Sequence, residues 1–253
     1  MTTEHQLPTD FLRREIVIHV IGCGGTGSQL LPRLPLLHKS IMELGHPKGL
    51  KVHVWDDDVV ESHNVMRQNF FAADVGSNKA RVMVNRLNIA HGLNWQAHAT
   101  RFTPESLRSY DTVDFLIGAV DSRAARRDIA AMVSELSHPG YWIDAGNEAD
   151  SGQVVVGQFG RHRIEQPRLP LVSEEFPEII SDEGKDDNTP SCSARESILR
   201  QGLATNGMAA MIVYGWLAEA LRHGKVSYRG AFFNVAQGRV SPLSIPASSA
   251  VPT

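Results

Sequence analysis

Cysteine is scarce in this 253-residue chain, where Cys23 and Cys192 are the two. Two cysteines cannot build a disulfide framework or a four-cysteine zinc site, so no zinc is expected and a reducing, cytoplasmic setting is. Strongly basic stretches are missing too. At a formal net charge of −3 the chain offers no basic face for a phosphate backbone, which speaks against nucleic acid as a partner. The longest apolar stretch, 208–218, is too short to span a bilayer and contains Gly215, so it reads as a buried helix and no membrane association is expected. A signal-peptide pattern is absent, because the apolar run 16–21 leads into glycines rather than a small-residue cleavage site. The eleven histidines contain no H-E-x-x-H motif and read as unspecialised. No internal repeat is present.

What is there fits one α/β domain. Residues 1–13 are polar and read as a flexible N-terminus. A β-rich run at 15–21 is followed at once by glycines, a helix over 25–44 and a strand over 51–55, which makes a right-handed parallel βαβ unit. Pro32 and Pro35 fall inside that helix, so it is expected to be kinked or broken. Further helices are expected at 78–90, 122–136 and 203–222, the last stopping at Gly224. Strands are expected at 97–102, 113–120, 141–145 and 153–159, with 146–152 as the turn joining the last two. A closing hairpin spans 231–235 and 239–245. The stretch 160–192, acidic and punctuated by proline, reads as an exposed crossover loop, and Ser193 to Glu196 has capping-box spacing for a helix start. Residues 246–253 read as a flexible tail. The fold expected is Rossmann-like: a mainly parallel sheet extended by antiparallel strands, with helices on both faces of a single domain over 14–245.

Gly22, Gly24 and Gly27 satisfy G-x-G-x-x-G, with Gly25 as an extra glycine. Such a turn lets a phosphate approach backbone amides at a helix N-terminus. Alone it suits an NAD enzyme, a methyltransferase or an ATP enzyme equally. Asp56, at the end of the second expected strand, is placed to meet ribose hydroxyls, while Asp57 reads as solvated. Arg67 and Lys79 add two cations behind the acidic turn, which a triphosphate can use and a dehydrogenase has no evident need for.

With these residues in order, the chain resembles the ThiF/MoeB/ubiquitin-activating superfamily. Gly22 to Ser28 matches its G-x-G-G-x-G-S, and Asp56 to Gln68 matches its D-x-D-x-V-x-x-S-N-L-x-R-Q. Lys79 falls on its lysine and Asp121 on the aspartate of its T-D-N. The runs 22–28, 141–158 and 190–193 look like those of the ThiF-type family of PRTRC gene systems. The sequence departs from the pattern at His63, where serine is usual, in lacking the CxxC pairs of many relatives, and in having no clear counterpart of the N-terminal arginine that reaches across the dimer.

The resemblance implies adenylation of a C-terminal glycine carboxylate on a small ubiquitin-like protein, with ATP and Mg²⁺ as cofactors. It implies Arg67 and Lys79 on the phosphates, Asp121 on Mg²⁺ and Asp56 on the ribose. Asp58 falls near the metal, and Asn64 and Gln68 orient the pocket. Cys192 is the candidate for an acyl thioester, at the start of the capped helix where a thiolate is favoured, although Asp186 and Asp187 oppose this. Cys23 reads as a small packed residue. A homodimer and a conjugating-enzyme-like acceptor follow by the same analogy. An NAD-dependent oxidoreductase and a non-catalytic nucleotide-binding adaptor remain as alternatives.

Overall fold

The computed structural model describes residues 3–107, 112–161, 166–181 and 204–247. Its strands are β1 (His5–Gln6), β2 (Ile16–Ile21), β3 (Leu50–Trp55), β4 (Gln96–His98), β5 (Phe115–Gly118), β6 (Gly140–Asn147), β7 (Ser151–Phe159), β8 (Lys225–Val226), β9 (Tyr228–Asn234) and β10 (Arg239–Ser244). The α-helices are α1 (Gly25–Leu30), α2 (Leu34–Glu43), α3 (Lys79–His91), α4 (Arg123–Glu135), α5 (Val172–Glu175) and α6 (Thr205–His223).

Eight strands form one sheet in the order β10-β9-β7-β6-β5-β2-β3-β4. From β6 to β4 every neighbouring pair is parallel, and β7, β9 and β10 extend the sheet antiparallel. Period-2 alternation splits β2 between two cores. Ile16, Ile18 and Val20 pack with α1, α2, α3 and α6, whereas Ile21 packs with α4 and α5 on the opposite face. This is the Rossmann-like arrangement expected from the sequence. The connection from β2 leads outward to β3 and that from β5 leads the other way to β6, which opens a crevice at the carboxyl ends of these two neighbouring strands.

The two prolines break the first helix as expected. Pro32 falls in the first turn of a 3-10 segment, Leu31–Arg33, and Pro35 in the first turn of α2. In both places the missing N–H has no helical acceptor to lose. The 146–152 turn is tighter than expected, because β6 runs to Asn147 and β7 resumes at Ser151. The expected strand at 97–102 shortens to β4 at the sheet edge.

Two expectations are corrected. The N-terminus is packed: β1 pairs antiparallel with β8, and His5, Leu7 and Phe11 are buried. Phe11 sets its ring edge-on against Phe115 and Tyr141, and His5 Nε2 lies 2.8 Å from the Tyr141 hydroxyl. Leu7 and Phe11 are apolar anchors that their polar neighbours obscured. Likewise the described part of the crossover is no exposed loop, since Leu169, Leu171 and Val172 are buried and Gln158 N donates to Leu169 O. Residues 182–203, with Asp182, Glu183, Asp186, Asp187, Cys192 and the Ser193 capping box, lie outside the described residues.

Candidate functional site

The glycine turn is held from three sides. Gly22 has φ +92°, and a Cβ there would fall 2.5 Å from Ala119 O, so β2 and β5 approach too closely for a side chain. Its N–H donates to Trp55 O at the end of β3. A Cβ on Gly27 would lie 2.0 Å from Gly22 O, so close packing requires a glycine there. Gly24 faces open space, with Gln68 Nε2 the nearest atom at 3.9 Å from a Cβ position.

β3 ends in the acidic turn. Asp56 accepts from Cys23 N at 2.5 Å and from Asp58 N at 2.9 Å, so its carboxylate ties the glycine turn to its own loop. Burial raises the Asp56 pKa, and the Cys23 amide opposes that rise. Asn78 caps α3 by accepting from Arg81 N, and its Nδ2 donates to the carbonyls of Asp56 and Asp58. That bracket sets Lys79 as the first residue of α3, where its Nζ meets Asp58 Oδ2 at 2.8 Å. Lys79 is 6% exposed, an unusual burial for a lysine.

The carboxylate oxygens of Asp56, Asp57 and Asp58 lie within 4.8 Å of one another. Cys23 N, Asp58 N and Lys79 already draw on this group. The structure thus gives Asp58 a lysine partner in the cleft that Asp121 also lines.

Asn64 is buried, accepts from Glu61 N, and its carbonyl takes the N–H of Arg67 and of Gln68. It shapes the turn that delivers those two side chains. Asn69 N donates to Ser28 Oγ at 3.1 Å, tying that turn to α1. Burial lowers the Arg67 pKa and the charge of Asp121 raises it; a guanidinium stays cationic under such shifts. Asp121 is exposed just beyond β5. The cap on α4 belongs to Ser122, whose Oγ accepts from Ala125 N, so Asp121 is not spent on capping.

These groups line one cleft of about 840 Å³ that holds Gly22, Gly24, Gly25, Asp56, Asp58, Arg67, Gln68, Lys79 and Asp121. Small-molecule sites run to roughly 300–1,000 Å³, so a nucleotide fits. Gln68 is 8% exposed and its Oε1 accepts no hydrogen bond among the described residues. Cys23 is fully buried beneath the turn, and burial pushes its thiol well above its ordinary pKa, which keeps it inert.

The far wall was not foreseen from sequence. Arg126 of α4 donates through Nε to Asp144 of β6 at 3.0 Å and through a second nitrogen to Val120 O at 2.9 Å. Asp144 is wholly buried; burial raises its pKa and Arg126 opposes this. Thr26, Asn147 and Asn206 complete that wall. A charged residue inside the apolar run 141–145 is the signal that marks Asp144. Asn206 carries no comparable mark.

A family model described as ThiF family matches residues 11–250. No curated protein sequence matches the chain. Among solved structures, the crystal structure of SeMet PaaA is similar at a TM-score of 0.60 and 15% identity. The match covers 91% of this chain and 64% of that one, so this chain spans under two thirds of that length. At such identity the likeness is one of fold.

Proposed function

The chain belongs to the ThiF family, and from that footing we propose that it adenylates the C-terminal glycine carboxylate of a small ubiquitin-like protein. The observation that carries this reading is the meeting of Arg67, Lys79 and Asp121 around the glycine turn in one cleft. An NAD site would account for the turn and for Asp56, but leaves the two cations without a task.

A carboxylate is ionised at neutral pH, so no general base is required. The work left to the protein is positioning and the neutralisation of charge that builds on the departing pyrophosphate. Amides at the start of α1 face the phosphates, and Asp56 faces the ribose. Arg67 and Lys79 supply positive charge, with Asp58 holding Lys79 in place until a phosphate competes for it. Asp121 fits a divalent cation, being exposed in the cleft and free of the capping role; when bound, Mg²⁺ adds charge neutralisation at the phosphates. A thioester, where one forms, falls to Cys192, because Cys23 is sealed in the core. A homodimer and a conjugating-enzyme-like acceptor are proposed on family analogy.

The test is exchange of labelled pyrophosphate into ATP, driven by a ubiquitin-like protein with a free C-terminal glycine. Exchange is expected, with a reductant-sensitive thioester that disappears in Cys192→Ser. ATP binding with stable capture of the partner but no exchange would replace the enzyme with a nucleotide-binding adaptor. Tighter binding of NADH than of Mg-ATP would return the oxidoreductase.

A further inference from the structure

Three polar side chains from three elements meet in the cleft lining on the side of β6. Thr26 Oγ1, on α1, lies 3.2 Å from Asn206 Oδ1 and 3.3 Å from Asn147 Oδ1. Asn147 Nδ2, on β6, donates to Asn206 Oδ1 at 3.1 Å. Both neighbours converge on the amide oxygen of Asn206, and its Nδ2 has no hydrogen-bond partner among the described residues although the residue is 2% exposed. An unmade bond on a buried amide is costly, so such a donor points to a ligand.

Its surroundings suit an anion. Asn206 lies in the first turn of α6, a 19-residue helix whose N-cap, Ala204, supplies no side-chain cap. Helix N-termini favour negative charge. A Cβ on Gly25 would fall 2.4–2.6 Å from the terminal atoms of Asn206, so the amide rests directly on the glycine turn. The next residue, Gly207, has open space where a Cβ would be.

We propose that Thr26, Asn147 and Asn206 form the subsite for the carboxylate of the acyl substrate, with Asn206 Nδ2 donating to one of its oxygens. The inference rests on the adenylation reading and adds where the nucleophile sits. In the sheet, β6 with Asn147 and β3 leading to Lys79 stand on opposite sides of β2. Phosphoryl-type transfer places the attacking and leaving oxygens roughly in line. With pyrophosphate drawn towards Arg67 and Lys79, the carboxylate enters from the side of Asn147 and Asn206. One carboxylate oxygen forms the new bond to the α-phosphorus. The bond from that phosphorus to the pyrophosphate oxygen breaks, pyrophosphate keeps the electron pair, and no proton moves. The second carboxylate oxygen stays with Asn206.

The experiment is exchange kinetics on the full chain with a ubiquitin-like protein ending in a free glycine carboxylate. Asn206→Asp, which puts a negative group where the donor stood, should raise the KM for that protein by about tenfold or more. Its KM for ATP should stay within about twofold. Asn147→Ala, which removes a group that orients Asn206, should move the same ratio in the same direction by less. Mg-ATP binding reports that each variant is folded. A rise in the KM for ATP instead would make Asn206 a nucleotide contact and overturn the subsite. Equal loss in both would make the cluster a brace between α6 and β6, with the same consequence. If the unmutated chain shows no exchange, the adenylation reading fails and the subsite with it; exchange with unaltered KM in Asn206→Asp removes the subsite alone.

Discussion

The two walls of the cleft are built by different means. The β3 wall comes from one continuous stretch, 56–79, that is tied to itself: Asn64 accepts from Glu61 N, the backbone amides of Arg67 and Gln68 donate to Asn64 O, and Lys79 meets Asp58 within the same stretch. The β6 wall is assembled from four separate elements, α1, α4, β6 and α6: Arg126 of α4 meets Asp144 of β6, and Thr26 meets Asn206 across 180 residues. Local construction leaves a motif in the sequence. Distributed construction leaves isolated polar residues that gain meaning only after folding.

The largest effect expected from breaking this contrast is on the distributed wall. Arg126→Met leaves Asp144 charged, buried and unpaired, and should cost about 3–5 kcal/mol of stability in a denaturant titration. A loss under about 1 kcal/mol would show that water reaches Asp144 and that the wall is looser than described. On the local wall the cost should appear in rate. Lys79→Ala is expected to lower pyrophosphate exchange on the order of a hundredfold (about 2.7 kcal/mol) while the fold survives.

The glycines sharpen the distinction between packing and ligand approach. Gly27→Ala forces a Cβ to within 2.0 Å of Gly22 O and should lower stability by roughly 1–3 kcal/mol. Gly24→Ala meets nothing closer than 3.9 Å and should leave the melting temperature near that of the parent while weakening Mg-ATP binding. Equal melting temperatures for the two variants would contradict the packing role given to Gly27.

The smallest effect concerns what underlies the β3 wall. His19, His53 and His98 stack on adjacent strands, and Trp55 donates to His19 and stacks on His98 with centroids 3.8 Å apart. Burial lowers His53 to about 4 and, with the charge of His53 and His98 adding to it, His19 to about 2. Burial also brings His5 to about 4. Folded pKa values below the unfolded one mean the unfolded chain binds protons first as pH falls. The stabilisation is therefore complete above about pH 6.5 and declines as acid is added towards the folded values. By about pH 6 each such histidine should cost somewhat under 1 kcal/mol, read as a falling urea midpoint. A flat midpoint between neutral pH and about 5 would contradict neutral, buried imidazoles.

Most of the fold was legible because its signals are periodic or punctuated. The continuous apolar run of β5, the stop at Gly224 with φ 66°, and the prolines dividing α1 from α2 each follow from one local rule. The N-terminal segment was misread because two anchors, Leu7 and Phe11, are too few to make a period, and their burial depends on Tyr141 and Phe115 far along the chain. In the site, Arg67, Lys79 and Asp121 were marked by spacing. Asn64 was marked the same way, although spacing alone does not say that it acts by shaping the turn that carries Arg67 and Gln68. Asn206 could not be found at all: an asparagine at a helix start ordinarily reads as solvated, and its missing partner is visible once β6 and α1 are beside it.

Helix α6 begins at the cleft and ends at Gly224, and Leu7 N donates to Gly224 O next to the β1–β8 pair. At 1.5 Å per residue its 19 residues carry that pair about 28 Å from Asn206. An affinity handle or surface tether joined ahead of His5 therefore emerges at the end of the molecule remote from the reactants. Immobilised protein attached in this way should keep its mouth open to a bulky macromolecular substrate.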